Sequence, residues 1–342
     1  MNIVSFPDCL VASYLRKAEE LFKTGKVAEG HFYQESSREF LPGKDSVPVC
    51  SGGAAIFCLL AYYKYACSKT HVIIQSNTMR ALYTVPKLLG MEVLVADSAT
   101  KDFLAMTPES LASTVAALPD PRAAVVVYSV IGGFLSPSYR EIESYCEKNR
   151  IPLIVDAAHA HYLEGVLGSA YADLAFSFYA TKILPSGEGG LVSTRRADVY
   201  SWVRRFLIYD KHDMTLSYGL NLRANELTAC LIHMLMTGPE LREYYRDKRV
   251  EIASAYRRLC EAHGVAYLDF KKADDYNGYK FVILDKFEDV AAKNTLLTRF
   301  GKTTPVFETD VRGGDGTLPH WCPPTYVALH HEICTAESPA KG

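Results

Sequence analysis

No Cys-x-x-Cys pair occurs among the nine cysteines, and their odd number leaves at least one thiol without a partner. Several, such as Cys58 and Cys146, fall inside helical patterns, so the chain reads as holding reduced, buried thiols rather than a disulfide framework. No apolar run approaches the roughly 18 residues of a membrane span. Neither sign of charge dominates: Lys+Arg 37 against Asp+Glu 39 leaves a net charge of -2, and no basic field to draw nucleic acid or anionic lipid. The N-terminal stretch lacks a secretory layout, because Lys17, Glu19 and Glu20 interrupt any apolar run. There is no internal repeat, low-complexity tract or long linker. The expectation is a cytoplasmic protein with neither membrane nor nucleic acid as partner.

What is present is an ordinary globular composition, with 49% hydrophobic and 22% charged residues over 342 positions. That excludes a disordered or fibrous chain and leaves room for about two domains. Strand and helix alternate. Residues 72–76, 91–97, 123–129, 152–157, 174–179 and 190–194 read as strands. Between them lie helices at 79–89, closed by Gly90, at 108–118, and at 137–149. Thr107-Pro108-Glu109 supplies a cap, a first-turn proline and an acidic residue to the second of these helices. Near-continuous apolar strands separated by amphipathic helices predict an α/β fold with a mostly parallel sheet covered on both faces. From about residue 196 the pattern turns helical, with stretches at 225–237 and 239–263. Apolar runs at 265–270 and 280–284 and a helix near 288–300 follow. A large domain over 1–238 and a small C-terminal α+β domain over 239–342 are expected, with the helix 9–24 free to pack on the latter.

Ligands of open parallel sheets sit beyond the carboxyl ends of the strands, and three features fall there. Ser51-Gly52-Gly53 leads directly into an apolar helix, leaving backbone N–H groups and a helix dipole open to phosphate. Taken alone, it fits a ligand-free tight turn better than a phosphate site. Asp156 ends the strand IPLIVD, where a carboxylate needs either a positive partner or a turn to cap. Lys182 leaves the apolar run SFYAT and enters the glycine-rich turn PSGEGG. Such a lysine is either solvated or, in a dry pocket, a nucleophilic amine. A phosphate cradle, an acid for a pyridinium nitrogen and a lysine for a Schiff base together describe pyridoxal 5′-phosphate (PLP).

The run VDAAHAH, SFYATK and GEGG closely resembles the DegT/StrS family of fold-type I, PLP-dependent aminotransferases, over about residues 25–235. The resemblance implies that Lys182 is the Schiff-base lysine and proton shuttle, and that Asp156 keeps the pyridine nitrogen protonated. It places His159 near the cofactor's phenolic oxygen, and Gly52, Gly53 and Ser177 at its phosphate. Gly219-Leu220-Asn221-Leu222-Arg223 resembles the family's G-x-N-x-R stretch, which implies that Asn221 reaches the phosphate of a neighbouring subunit. A homodimer with shared active sites is the expected assembly.

Departures from the family pattern bear on substrate. Gly53 stands where a threonine is common, Met79 where an aromatic ring stacks on the pyridine, and Gln75 where a proline precedes that pair. A thioether packs on a π-face less rigidly than a ring. Arg80, beside Met79, faces either the substrate or solvent. The tail from Pro305 to Trp321 matches the family's sugar-side segment poorly. The implied reaction is amino transfer from glutamate or glutamine to a keto-sugar, usually nucleotide-linked. The retained Lys182 agrees, since dehydratase relatives carry histidine there. The alternatives are other PLP chemistry, such as decarboxylation or lyase action, on a non-sugar or modified-nucleoside substrate, and a non-catalytic PLP-binding regulator. His330-His331 with Cys334, and His320 with Cys322, lack tetrahedral zinc spacing and read as structural. The Glu243-Tyr244-Tyr245-Arg246 run reads as a packing face.

Overall fold

A computed structural model of the protein describes residues 6–208, 219–270, 273–293, 297, 304–305 and 321–335. Helix α1 (Asp8–Thr24) and the single turn α2 (His31–Gln34) precede strand β1 (Asp45–Val49). Then come α3 (Gly52–Tyr65), β2 (His71–Gln75), α4 (Ala81–Leu88) and β3 (Glu92–Ala96). A ribbon of β4 (Ser98–Ala99) and β5 (Ala105–Met106) leads to α5 (Pro108–Ala116), β6 (Ala124–Ser129), α6 (Tyr139–Asn149) and β7 (Leu153–Asp156). The turn α7 (Glu164–Leu167) is followed by β8 (Asp173–Ser177), β9 (Gly190–Thr194), α8 (Ala197–Ile208) and α9 (Glu226–Thr237).

Seven strands form the central sheet in the order β1-β9-β8-β7-β6-β2-β3. Strands β3, β2, β6, β7 and β8 pair in parallel, and β9 runs antiparallel between β8 and β1. Every residue of β6, β8 and β9 is buried, because helices cover both faces. Two apolar clusters lie on opposite faces: Val126, Tyr128, Leu174 and Phe176 point into one, and Val125, Val127, Ile154 and Ala175 into the other. That alternation is the period-2 pleat of a sheet buried on both sides.

The expected strands are present within a residue or two. Strand β1 was not expected from DSVPV, a short run with a proline. It is the sheet's edge strand, laddered only with β9. Its outer side carries isolated contacts, such as the bridge of Val49 to Arg223 and Ala224 N donating to Pro48 O at 3.3 Å, so the N–H that Pro48 lacks breaks no ladder there. Helix α4 starts at Ala81, not at residue 79, so Met79 and Arg80 belong to the loop before it. As expected, the Thr107 side chain accepts from Ser110 N at 3.1 Å and caps α5.

Beyond α9, α10 (Glu240–Arg242) passes through a π-helical turn at Glu243–Asp247 into α11 (Lys248–His263). The two expected apolar runs meet, with Leu268 N donating to Val282 O at 2.9 Å and Leu284 N to Ala266 O at 2.8 Å. A third cluster, including Ile252, Tyr256, Phe281 and Ile283, joins them to α11 and to Phe134. Helix α12 (Phe287–Lys293), a pair of β10 (Thr304–Pro305) with β11 (Trp321–Cys322), and α13 (His330–Thr335) complete the description. The tail positions 306–320, His320 among them, lie outside the described residues.

His161, in the loop after β7, is 1% exposed, with the rings of Phe176 and Phe178 at 5.4 and 5.1 Å. Neither ring nitrogen has a hydrogen-bond partner among the described residues. Burial, with a smaller push from Lys182, holds its pKa down at about 3. Above pH ~6.5 the imidazole is neutral both folded and unfolded. Below that value the unfolded chain takes up a proton that the folded chain refuses, so stability falls as pH falls, by about 1.4 kcal/mol per unit. Replacing His161→Leu should therefore change the stability difference from wild type by about 2 kcal/mol, in the variant's favour, between pH 7 and pH 5 in urea unfolding. A difference unchanged with pH would contradict the assignment.

Candidate active site

The carboxyl ends of β7 and β8 and the N-terminus of α3 meet at one cleft. Six of the residues singled out in the sequence line it: Gly52, Gly53, Met79, Asp156, Ser177 and Lys182. Asp156 is the last residue of β7, and its carboxylate accepts from Ala158 N at 3.1 Å. Burial raises its pKa, against the smaller opposing effects of that N–H and of Lys182. A partly buried carboxylate with so little compensation is a seat for a cation.

Lys182 is placed by a loop that folds back on itself after β8. Phe178 N donates to Gly189 O at 2.9 Å, Ala180 N to Gly187 O at 3.0 Å and Lys182 N to Tyr179 O at 2.8 Å. Gly187 (φ +90°) and Gly189 (φ +145°) take backbone conformations that L side chains rarely adopt. The lysine is 6% exposed, and its Nζ shares a 3.1 Å hydrogen bond with His159 Nε2. Burial first, then the charge of Lys182, hold the His159 pKa well below 6.5, so the imidazole is neutral at pH 7.

At the other end of the cleft, the Ser51 side chain accepts from Ala54 N at 3.1 Å and caps α3. That leaves the N–H groups at the start of a 14-residue helix directed at the opening. Gly52 touches Ser177 so closely that a Cβ there would lie 2.6 Å from Ser177 Cβ. Gly190 passes beneath, where a Cβ would overlap the Ser51 carbonyl. At Gly53 a Cβ would meet only Ser51 Oγ, at 3.7 Å. Met79 stands at the mouth, 53% exposed. Gln75 anchors its loop: Nε2 donates to Asn77 O at 2.9 Å, and Oε1 accepts from Ser129 N at 3.0 Å. Arg80 is exposed. Asn221 is also exposed and outside the cleft lining, but the adjacent Leu222 O accepts from Cys50 N at 2.8 Å, next to the cradle.

A segment that sequence reasoning passed over packs on the His159 loop and near Lys182. Asn277 Nδ2 donates to His159 O at 2.7 Å and to His161 O at 2.9 Å. The Tyr279 ring lies 4.4 Å from the His159 ring at 36°, and Lys182 Nζ lies 5.6 Å from its centroid. Burial alone would raise the phenol's pKa, but Lys182, Lys280, a side-chain hydrogen bond with Thr181 and the Arg249 charge together more than offset this, and the net shift is downward. The only hint in the chain is the turn-forming Asn277-Gly278 pair, which says nothing of where the turn docks.

A model of the DegT/DnrJ/EryC1/StrS aminotransferase family matches residues 9–311. The chain belongs to this family. PLP is the family's cofactor. The donor set fits it: a cradle of N–H groups beside a hydroxyl for phosphate, a desolvated carboxylate for a protonated ring nitrogen, and a buried amine between them. The spore coat polysaccharide biosynthesis protein SpsC of Bacillus subtilis (strain 168) is 29% identical over 196 residues, covering 56% of this chain and 49% of that protein. The chain thus spans about half the length of that curated relative. A DegT DnrJ EryC1 StrS aminotransferase from Brucella abortus superposes with a TM-score of 0.78 at 19% identity, over 95% of this chain and 94% of the other. DesI, solved in the presence of its TDP-sugar product, gives 0.76 at 21% identity, over 97% and 89%. NtdA from Bacillus subtilis, solved with bound cofactor PMP, gives 0.74 at 16% identity, over 98% and 82%. These likenesses establish a shared fold.

The two cradle glycines should respond differently to a methyl group. Gly52→Ala forces Ser177 aside and should weaken PLP binding to the cofactor-free protein at least tenfold by absorbance titration, whereas Gly53→Ala should stay within about threefold. Equal losses at both positions would contradict this geometry.

Proposed function

We propose that the protein transfers an amino group from an amino acid, glutamate or glutamine, to the keto group of a nucleotide-linked sugar. The observation that carries the reading is Lys182, 6% exposed, with Nζ 3.1 Å from a neutral histidine, in a cleft that Asp156 and Gly52 also line. The names of SpsC and DesI, which refer to polysaccharide biosynthesis and a TDP-sugar product, favour a sugar acceptor.

PLP, when bound, supplies an electron sink for charge developing at the amine-bearing carbon. The chain supplies the rest. The N–H groups at Gly52 and Gly53 and the Ser177 hydroxyl hold the phosphate, aided by the α3 dipole. Asp156 holds the proton on the ring nitrogen, and the ion pair this forms relieves its own burial cost. Lys182 Nζ takes a proton from one carbon and returns it to the next, working as a general base and then a general acid. His159, kept neutral, orients that amine without adding a competing charge. Tyr279 and Asn277 close the site from above and hold the His159 loop. Met79, in the cleft lining, would pack against the cofactor ring.

The same reading takes the protein to be a cytoplasmic homodimer, divided into a large domain over 1–238 and a small one over 239–342. Asn221, exposed beside the cradle, is available to a neighbouring subunit's phosphate. Exposed Met79, Tyr179 and Leu220 provide apolar surface for a partner subunit to cover.

Addition of L-glutamate or L-glutamine to the PLP-loaded protein should convert its absorbance to that of the amine form of the cofactor. A keto-sugar nucleotide should reverse the change. Lys182→Ala should still bind PLP but slow this conversion by about 10³-fold or more. No response to any amino acid, or reversal only by a carbonyl compound that is not a sugar, would contradict the proposal.

A further inference from the structure

Asn277 is fully buried and sits where three segments of the chain meet. The first is the loop after β6. Asn277 N donates to Gly133 O at 3.1 Å, Lys280 N to Gly132 O at 3.0 Å and Leu135 N to Asp275 O at 2.8 Å. Between them Phe134 bridges Tyr276 in antiparallel fashion, and the two rings stack with centroids 4.5 Å apart. The second is the loop after β7, where the carbonyls of His159 and His161 both accept from Asn277 Nδ2. The third is the turn of Asn277 itself, in which its Oδ1 accepts from Tyr279 N at 3.1 Å.

The amide is thereby used in full, with both donors and the oxygen engaged. Side chains of similar size cannot replace it: an ionised aspartate has no donor, and a leucine has neither donor nor acceptor. Room for the amide is made from the opposite side by Gly133 (φ +87°), where a Cβ would overlap Asn277 Oδ1. Each of the three segments also reaches the imidazole of His159. That residue lies on the second segment, the Tyr279 ring of the third lies 4.4 Å from it, and the backbone of Val130, at the start of the first, acts on it. On its free side Nε2 meets Lys182 Nζ at 3.1 Å.

We propose that Asn277 is a positioning residue of the amino transfer, acting through His159: it fixes the imidazole so that Nε2 accepts from Lys182 Nζ, and so sets how readily that nitrogen gives up its proton. Asn277 is outside the cleft lining, so its influence on Lys182 runs through the residues it holds. An acceptor aimed at Nζ favours the protonated form of the nitrogen. Loosening His159 therefore makes Nζ lose its proton at lower pH. The inference rests on Lys182 as the proton-transferring amine and is indifferent to which donor or acceptor the enzyme takes.

The test is a pH titration of the visible absorbance of the PLP-loaded protein, which needs no amino acid and no turnover. Asn277→Leu should lower the midpoint by about 0.5 pH unit or more. Asn277→Ser, whose hydroxyl can serve one of the two carbonyls in less space, should give roughly half that shift, and it covers the case in which the leucine variant does not fold. In a His159→Ala background, Asn277→Leu or Asn277→Ser should move the midpoint by no more than about 0.2 unit, because the route through the imidazole is gone. A shifted midpoint in a protein that gives no response to glutamate or glutamine would support this inference while counting against the proposed donor. A lower melting temperature with the midpoint unmoved would mark a purely structural role and overturn the proposal. A midpoint that rises, or an equal shift in the His159→Ala background, would overturn it as well.

Discussion

A lysine almost sealed from water, with a histidine rather than a carboxylate as its hydrogen-bond partner, sets the terms for everything around it. His159 gives Lys182 a direction through a 3.1 Å hydrogen bond, and burial together with the nearby Lys182 charge keeps the imidazole neutral. The fold is arranged to make this possible. Strands β7 and β8 end side by side, so Asp156 and the loop carrying Lys182 leave the sheet at the same edge. The antiparallel β9 returns beneath that edge, bringing Gly190 under the Ser51–Gly52 turn, where a side chain would not fit.

The same arrangement sorts charge within a small volume. Asp156, partly buried in the cleft lining, has its pKa raised by burial and is proposed to face a positive ring nitrogen. Lys182 lies between that acid and the Tyr279 wall. On the far side Lys280 and Arg249 add positive charge that the described residues do not neutralise. The α3 N-terminus favours a phosphate from outside. A segment near residue 278 joins the two levels. It hydrogen-bonds to the His159 loop and packs its backbone on α11.

Which parts were legible in the chain follows from contact distance along it. Gly52, Asp156 and Lys182 each sit next to the strand or helix that places them, so a local pattern suffices to find them. The parallel sheet was legible because its strands are buried on both faces and read as unbroken apolar runs. Edge strand β1 was not, since a position open on one side tolerates Ser46 and Pro48. Asn277 and Tyr279 gave no local signal, because their roles arise from contacts with His159 and His161, more than 100 residues back. Gln75 in place of a proline looked like a loss, yet its amide ties the Met79 loop to β6 through Ser129.

The central claim is that one buried amine, Lys182, is the group that bonds to PLP. Borohydride reduction of the PLP-loaded protein, followed by peptide mass mapping, measures this directly. The account predicts a single pyridoxyl adduct, on Lys182, at close to one per chain. Adducts spread over surface lysines, or concentrated on Lys280 or Lys44 with Lys182 unmodified, would contradict it.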